Sequence, residues 1–426
     1  MKEELLHFIW QSKTLLKQPL KTISGEPLQI IQTGILNSDA GPDFFNAKVK
    51  IGNTLWAGNI EIHIKSSDWK NHNHQIDKNY DNVILHVVYF HDTEIFYTNG
   101  KPIPCIELRN LISPLTLRKH HQLQLNQNTI ACEKIFTVPS STELLNFMAR
   151  LLVERLEEKC ARIESSLVQN NNHWETMFYV LTAKYFGMKT NAQPFEWLAQ
   201  NLPLSVISKH KNSLIQIEAL VFGVAGFLET AHSDDYINLM KREFDFLKKK
   251  YQLLSLDKKV WKFARTRPAN FPTVRLAQFA SLIYQSNHLF SKILATESVS
   301  ELINLYKIKI NNKLNPFEFI GHETKSKQTE IGNAAIETLL VNTVLPVMFL
   351  YGKQHEKDEL PERTLNFYEL LMPENNSIIL FWKSMGVDAK NAFESQALIQ
   401  LKNNYCANLK CLSCIIGKQI LLNSDE

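Results

Sequence analysis

The sequence predicts an α+β protein. A small N-terminal α/β domain with a mixed sheet (residues 1–138) precedes a larger all-helical domain (residues 139–426) that ends in a cysteine cluster. Three observations carry this. Asn46–Ile51 and Thr54–Lys65 alternate apolar and polar residues about a Gly52-Asn53 turn, the pattern of a hairpin. Asn82–Phe90 is apolar almost throughout, as in a central strand covered on both faces. After Pro139-Ser140-Ser141-Thr142-Glu143 the apolar spacing changes to three and four, the helical period.

The elements follow in order. Glu4–Trp10 predicts a short helix with Leu5, Leu6, Ile9 and Trp10 on its apolar face. Leu28–Thr33 predicts a first strand, and the hairpin comes next. Ser66-Ser67-Asp68 offers capping side chains for a helical or turn segment from Trp69 to Tyr80. After the strand Asn82–Phe90, short strands Glu94–Tyr97 and Ile103–Leu108 flank an Asn99-Gly100 turn. Helices are predicted over Leu144–Leu167, Trp174–Phe186, Leu214–Leu228, Tyr236–Tyr251, Leu276–Tyr284, Ile331–Tyr351, Thr364–Leu371 and Asn391–Lys402, with a polar loop from Lys307 to Lys327. No fixed period recurs, which argues against a solenoid.

Composition narrows the class. The 426 residues are 44% hydrophobic and 21% charged, as in an ordinary soluble protein. A net charge of +4 permits nucleic-acid contact without requiring it. The N-terminus MKEELLHFIWQSK is acidic and amphipathic rather than a secretory signal. The most apolar run, Thr338–Tyr351, is too short to span a bilayer. The expectation is a cytoplasmic protein with no membrane partner. Six cysteines in a chain of this length imply no disulfide framework.

Ala40–Asp92 holds five of the fourteen histidines (His63, His72, His74, His86, His91), together with Asp43, Glu61, Asp68, Asp77, Asp81 and Asp92. Hairpin pairing brings Asp43, just after Gly41-Pro42, near Glu61. Glu61, His63 and Lys65 share one strand face. Two carboxylates that close repel unless a cation lies between them, and hard oxygen ligands suit Mg²⁺ or Mn²⁺. His74 and His86 are candidate further ligands. The plainer alternative is a sheet with one solvated, polar face.

Two other motifs carry chemistry. Cys406, Cys411 and Cys414 follow a Cys-x4-Cys-x2-Cys spacing, in which the closer pair can chelate one metal. Three thiolates leave a tetrahedral site incomplete, and Cys132 is the candidate fourth ligand. Such a site suits zinc or an iron–sulfur cluster. Cys105 and Cys160 are expected to be small buried side chains. Arg265, Arg267 and Arg275 surround two prolines in RTRPANFPTVR. A stiff loop of this kind either forks arginines onto phosphates or ties helices together by ion pairs.

The run AGPDFFNAKV…WAGNIEIHIKSSDW…DNVILHVV, with ERLEEK at Glu154–Lys159, RPANFP at Arg267–Pro272 and CLSC at Cys411–Cys414, resembles the domain-of-unknown-function family 2851. That resemblance implies a bacterial protein and supplies no activity. The N-terminal region also resembles the PD-(D/E)xK nuclease-like superfamily. Pro42-Asp43 matches its first element and Glu61-Ile62-His63 its second, with His63 where the pattern has lysine. The resemblance implies a metal-dependent phosphodiesterase acting on DNA or RNA. In it Asp43 and Glu61 hold the metal, His63 or Lys65 assists water attack, and the arginines bind the strand. Some of those nucleases join one cysteine to three C-terminal ones around an iron–sulfur cluster, and the arrangement here is similar. The competing expectation is a non-catalytic nucleic-acid-binding or scaffold protein with a degenerate nuclease-like domain.

Overall fold

A computed structural model describes the whole chain except residues 1, 14, 17, 38, 126–128, 231–232, 287, 321–329 and 423–426. The last part of the expected polar loop, residues 321–327, lies outside the described residues. The architecture is α+β, an N-terminal mixed sheet followed by a mostly helical region. The chain groups into two compact units. One takes Met1–Phe147 with Met385–Val387 and Leu401–Glu426, and the other takes Met148–Ser384 with Asp388–Gln400. The C-terminal cysteines thus belong to the unit that contains the sheet.

Among the described residues the first unit is built on seven strands: β1 (Leu20–Lys21), β2 (Pro27–Gln32), β3 (Ile35–Leu36), β4 (Phe44–Ile51), β5 (Thr54–Lys65), β6 (Val83–Phe90) and β7 (Cys105–Glu107). They run in the order β1-β2-β4-β5-β6-β7, with β3 beside β4. The β4–β5 hairpin is antiparallel, while β5–β6 and β6–β7 are parallel, so the sheet is mixed. Parallel pairing needs a crossover. Between β5 and β6 it is helix α2 (Asp68–Asn71) and two short 3₁₀ turns, which bring His72 and His74 back over the sheet.

The expected fully covered strand is β6: Val83, Ile84, Leu85, His86, Val87 and Val88 are all buried. Phe44, Ala47, Val49, Ile60, Ile62 and Ile106 complete the sheet's core. Each large aliphatic side chain withdrawn from water there contributes about 1.5–3 kcal/mol. Helix α1 (Glu3–Ser12) packs on β5 and buries Leu5, Leu6, Phe8, Ile9 and Trp10. Of the two short strands expected around Asn99-Gly100, Cys105–Glu107 forms β7, and the other is reduced to a single bridge, Phe96 to Pro102. Helix α3 (Pro114–Leu125) was not expected and packs against Ile415–Leu422.

The second unit is helical. Trp174–Phe186, Leu214–Val224, Asp235–Tyr251 and Pro272–Gln285 fall where the periodicity placed them. Lys248, Lys249 and Lys250 occupy the last turn of Asp235–Tyr251, where cations suit the helix dipole. Among the described residues one helix, Asn333–Gln354, is long and apolar enough to cross a membrane, and its most apolar stretch is 67% buried inside the structure.

Candidate metal centre

Gly41 starts the site. Its φ of +108° lies where glycine is favoured, and it turns the chain into Pro42-Asp43 at the mouth of β4. Two residues into the strand, Asn46 sits at φ +57° and the pairing with β5 slips by one residue between Phe44 and Ala47. This is a β-bulge, a device that re-aims side chains beside functional sites. It sets Asp43 against Glu61. The Asp43 N–H donates to Glu61 Oε2 at 3.1 Å, and the Ile62 N–H donates to Asp43 Oδ2 at 2.9 Å. Each carboxylate is held by the other's strand.

Imidazoles surround the pair. His7 Nε2 stands 3.3 Å from Asp43 Oδ2. His63 Nε2 and His74 Nε2 stand 3.4 and 3.2 Å from Glu61 Oε1. Among the described residues, neither His7 Nε2 nor His74 Nε2 has a well-aligned hydrogen-bond partner, although His7 is close enough to Asp43 for that contact to outweigh burial and raise its pKa. Ring nitrogens close to carboxylate oxygens but not bonded to them suit donors around a shared cation. Among the described residues, His63, His72 and His74 offer nitrogens within 4.8 Å of one another.

His86 lies behind this group. Register pairs it with Glu61 across the parallel β5–β6 ladder, and its Nε2 lies 2.9 Å from His63 Nδ1. If His63 Nδ1 donates that proton, His63 Nε2 presents a bare lone pair toward His72 Nδ1, 3.1 Å away. Metal-bound histidines commonly have the other ring nitrogen oriented by such a partner. The rings stack closely. His74 lies 3.7 Å from the Tyr80 ring, and Trp69 meets both His74 and His86 edge-on.

The electrostatics follow from burial. Glu61 is pushed up to about 9, chiefly because it is withdrawn from water and then because Asp43 faces it. Burial pulls His63 down to about 2 and His86 to about 3, with neighbouring imidazoles adding to the effect. Both are therefore neutral at ordinary pH, the form that ligates metals. At His7 burial lowers the pKa, but Asp43 outweighs it and the net shift is upward. Glu3, one turn before His7 on α1, is raised by burial and by Asp43.

The structure thus brings Asp43, Glu61, His63, His74 and His86 together, and adds His7, His72 and Glu3, which sequence reasoning did not assign. Glu3 and His7 were legible as an i, i+4 pair on one helix face. Lys65 is exposed, and its recorded bond is from its backbone N–H to Asp68. In the second unit Arg265 and Arg267 are exposed, whereas Arg275 is buried against Asn270 and Gln278.

Cys132, Cys406, Cys411 and Cys414 line one small cavity in the first unit with Tyr405, Lys410 and Gly417. Burial, followed by the neighbouring sulfurs, pushes the Cys132 thiol up to about 12. Burial and Cys414 raise Cys411 to about 11, and Cys406 is raised for the same reasons. Gly417 allows the final helix to approach, since a Cβ there would meet the Cys411 carbonyl oxygen at 2.2 Å. Cys105 and Cys160 are buried elsewhere, as expected of packing side chains.

The family model described as protein of unknown function (DUF2851) matches residues 3–377. The chain belongs to that family. The match includes the sheet, the histidines and Cys132, and it ends before Cys406, Cys411 and Cys414. No curated protein and no solved structure matches the chain.

Proposed function

We propose that the first unit is a metal-dependent phosphodiesterase acting on nucleic acid, with Asp43, Glu61, His63 and His74 holding one divalent ion. The observation that carries this is the Asp43–Glu61 pair. The two carboxylates are tied together through backbone hydrogen bonds, Glu61 is strongly raised in pKa, and His7, His63 and His74 each stand within 3.4 Å of one of them. A divalent ion is the group that makes such a pair favourable. Mixed oxygen and nitrogen donors suit Mn²⁺ better than Mg²⁺, which prefers oxygen and keeps its waters. Such an ion would polarise a phosphodiester and lower the pKa of its bound water.

The chain's own groups have separate roles. Asp43 and Glu61 supply the negative charge. His63 is too weak a base at a pKa of about 2 to take a proton near neutrality, so it serves as a neutral ligand oriented by His86. His72 lies exposed at the edge of the group. Asp43 before β4 and Glu61 on β5 follow the order of the nuclease-like pattern. Arg265 and Arg267 are the exposed cations suited to a phosphate backbone. The four cysteines would hold zinc or an iron–sulfur cluster as a structural staple, and the protein would work in the cytoplasm.

One feature favours a second reading, binding without cleavage. Histidine stands in the lysine position, and among the described residues the exposed Lys65 side chain makes no hydrogen bond or ion pair with the cluster. The test is cleavage of labelled single- and double-stranded DNA and RNA with Mn²⁺ or Mg²⁺ by the wild type and Glu61→Ala. Metal-dependent cleavage lost in the variant supports the phosphodiesterase. Salt-sensitive binding with no cleavage by a folded, metal-loaded wild type supports the second reading.

A further inference from the structure

Arg275 does not behave as a surface phosphate clamp. It is 8% exposed, on the helix Pro272–Gln285 of the second unit. Its Nη1 donates to Gln278 Oε1 at 3.1 Å and its Nη2 to Asn270 Oδ1 at 2.5 Å. Its Nε is buried with no partner among the described residues, and so is the hydroxyl of Tyr306, whose exposure is 0%. Buried donors left unanswered are costly and uncommon, and each calls for an explanation.

Both residues line the same cavity of about 500 Å³, within the usual range for small-molecule sites. Its walls are mostly apolar, with Phe186, Met188, Ala335, Ile336 and Leu339 among them. Lys184, paired with Glu196 at 2.9 Å, and Lys189 also line it, and no Asp or Glu among the described residues does. A second cavity of about 400 Å³ shares Lys184 and Tyr185 with the first. It carries Arg155 and Arg162 beside Glu158, with Lys159, whose pKa burial lowers well below its ordinary value, and with Glu196 paired to the shared Lys184. Burial lowers the pKa of Arg275 to about 10, which leaves it charged at neutral pH.

We propose that the Arg275–Tyr306 cavity binds a small organic anion. The apolar body fills the space beside Met188 and Leu339, a carboxylate or phosphate meets Arg275, and a polar atom meets the Tyr306 hydroxyl. This site is independent of the proposed metal centre. Nucleotides and fatty acids both carry this chemistry, and the experiment separates them.

The test is calorimetric titration of the full chain with thymidine monophosphate, decanoate and inorganic phosphate, in the wild type, Tyr306→Phe and Ala335→Leu. The first variant removes only the hydroxyl, and the second fills the cavity from an intermediate-exposure wall position. The expected result is saturable binding of one organic anion, at least about tenfold tighter than inorganic phosphate. Binding should weaken about tenfold in Tyr306→Phe and be lost in Ala335→Leu. Thymidine monophosphate as the tighter probe identifies a nucleotide site, and decanoate a fatty-acid site. Binding of neither organic anion, inorganic phosphate binding as tightly as either, or affinities unchanged in both variants would overturn the proposal.

Discussion

Replacing Glu61 by Gln should stabilise the metal-free protein while removing its response to metal. Glu61 is 5% exposed, faces Asp43 and is pushed up to about 9 from 4.5. A raised folded-state pKa for an acid means that the folded chain holds the proton more tightly than the unfolded chain. The penalty is therefore absent below pH 4.5, grows as pH rises and levels off above about 9. Between pH 4.5 and 8 the linkage relation allows at most about 5 kcal/mol. Local relaxation and water entry at the exposed His72 edge reduce this, and about 1–3 kcal/mol is expected at pH 8. Glutamine keeps an oxygen to accept the Asp43 N–H, so packing is preserved. The assay is amide exchange in β5 and β6 with chelator present, at pH 5 and pH 8. The variant should be more protected at pH 8 and nearly equal to wild type at pH 5. Adding Mn²⁺ should then protect the wild type, by about 2.7 kcal/mol at one hundred times its dissociation constant, and leave the variant unchanged. A variant less protected at pH 8, or one that still responds to Mn²⁺, would refute the reasoning.

Other outcomes follow from the same structure. His63 and His86 have pKa values pulled down to about 2 and 3, so the unfolded chain gains protons first; metal-free stability should fall as pH drops below 6.5, by about 1.4 kcal/mol per pH unit for each histidine, read by urea titration. If the four cysteines hold a metal as proposed, Cys132→Ala should lose it and Cys105→Ala should not, measured by metal analysis and by the visible absorption that separates an iron–sulfur cluster from zinc. Leu85→Ala, at a 0% exposed position of β6, should cost about 2–5 kcal/mol by denaturant melting. Gly417→Ala should destabilise the first unit and lower metal retention at the cysteines, because the new Cβ has backbone rather than a flexible side chain in its way.

The hairpin and β6 were legible because each obeys a single rule, alternation for one and continuous apolarity for the other. The pairing of Asp43 with Glu61 followed from hairpin geometry alone. The bulge at Asn46 did not, because it depends on one positive φ that neither pattern nor composition records. Helix α3 escaped because its buried positions are Thr116, His120 and Leu123, so a test for hydrophobic period sees only one of the three. Glu3 and His7 were not singled out, because the expected helix Glu4–Trp10 was read only for its apolar face; it is the packing of that helix on β5 that brings them to the site. Cys132 was chosen as fourth ligand for its loop setting, and it lines the same cavity as the other three. Arg275 was read as part of a stiff loop that either contacts phosphate or ties helices together, whereas it lies in the helix Pro272–Gln285 and is buried there.

The central claim is that a divalent ion sits between Asp43 and Glu61. Anomalous diffraction at the manganese edge, from crystals soaked in Mn²⁺, tests it most directly. The account predicts one peak at coordination distance from oxygens of both carboxylates and from Nε2 of His63 and His74. No peak there, in crystals whose cysteine site is filled, would contradict it.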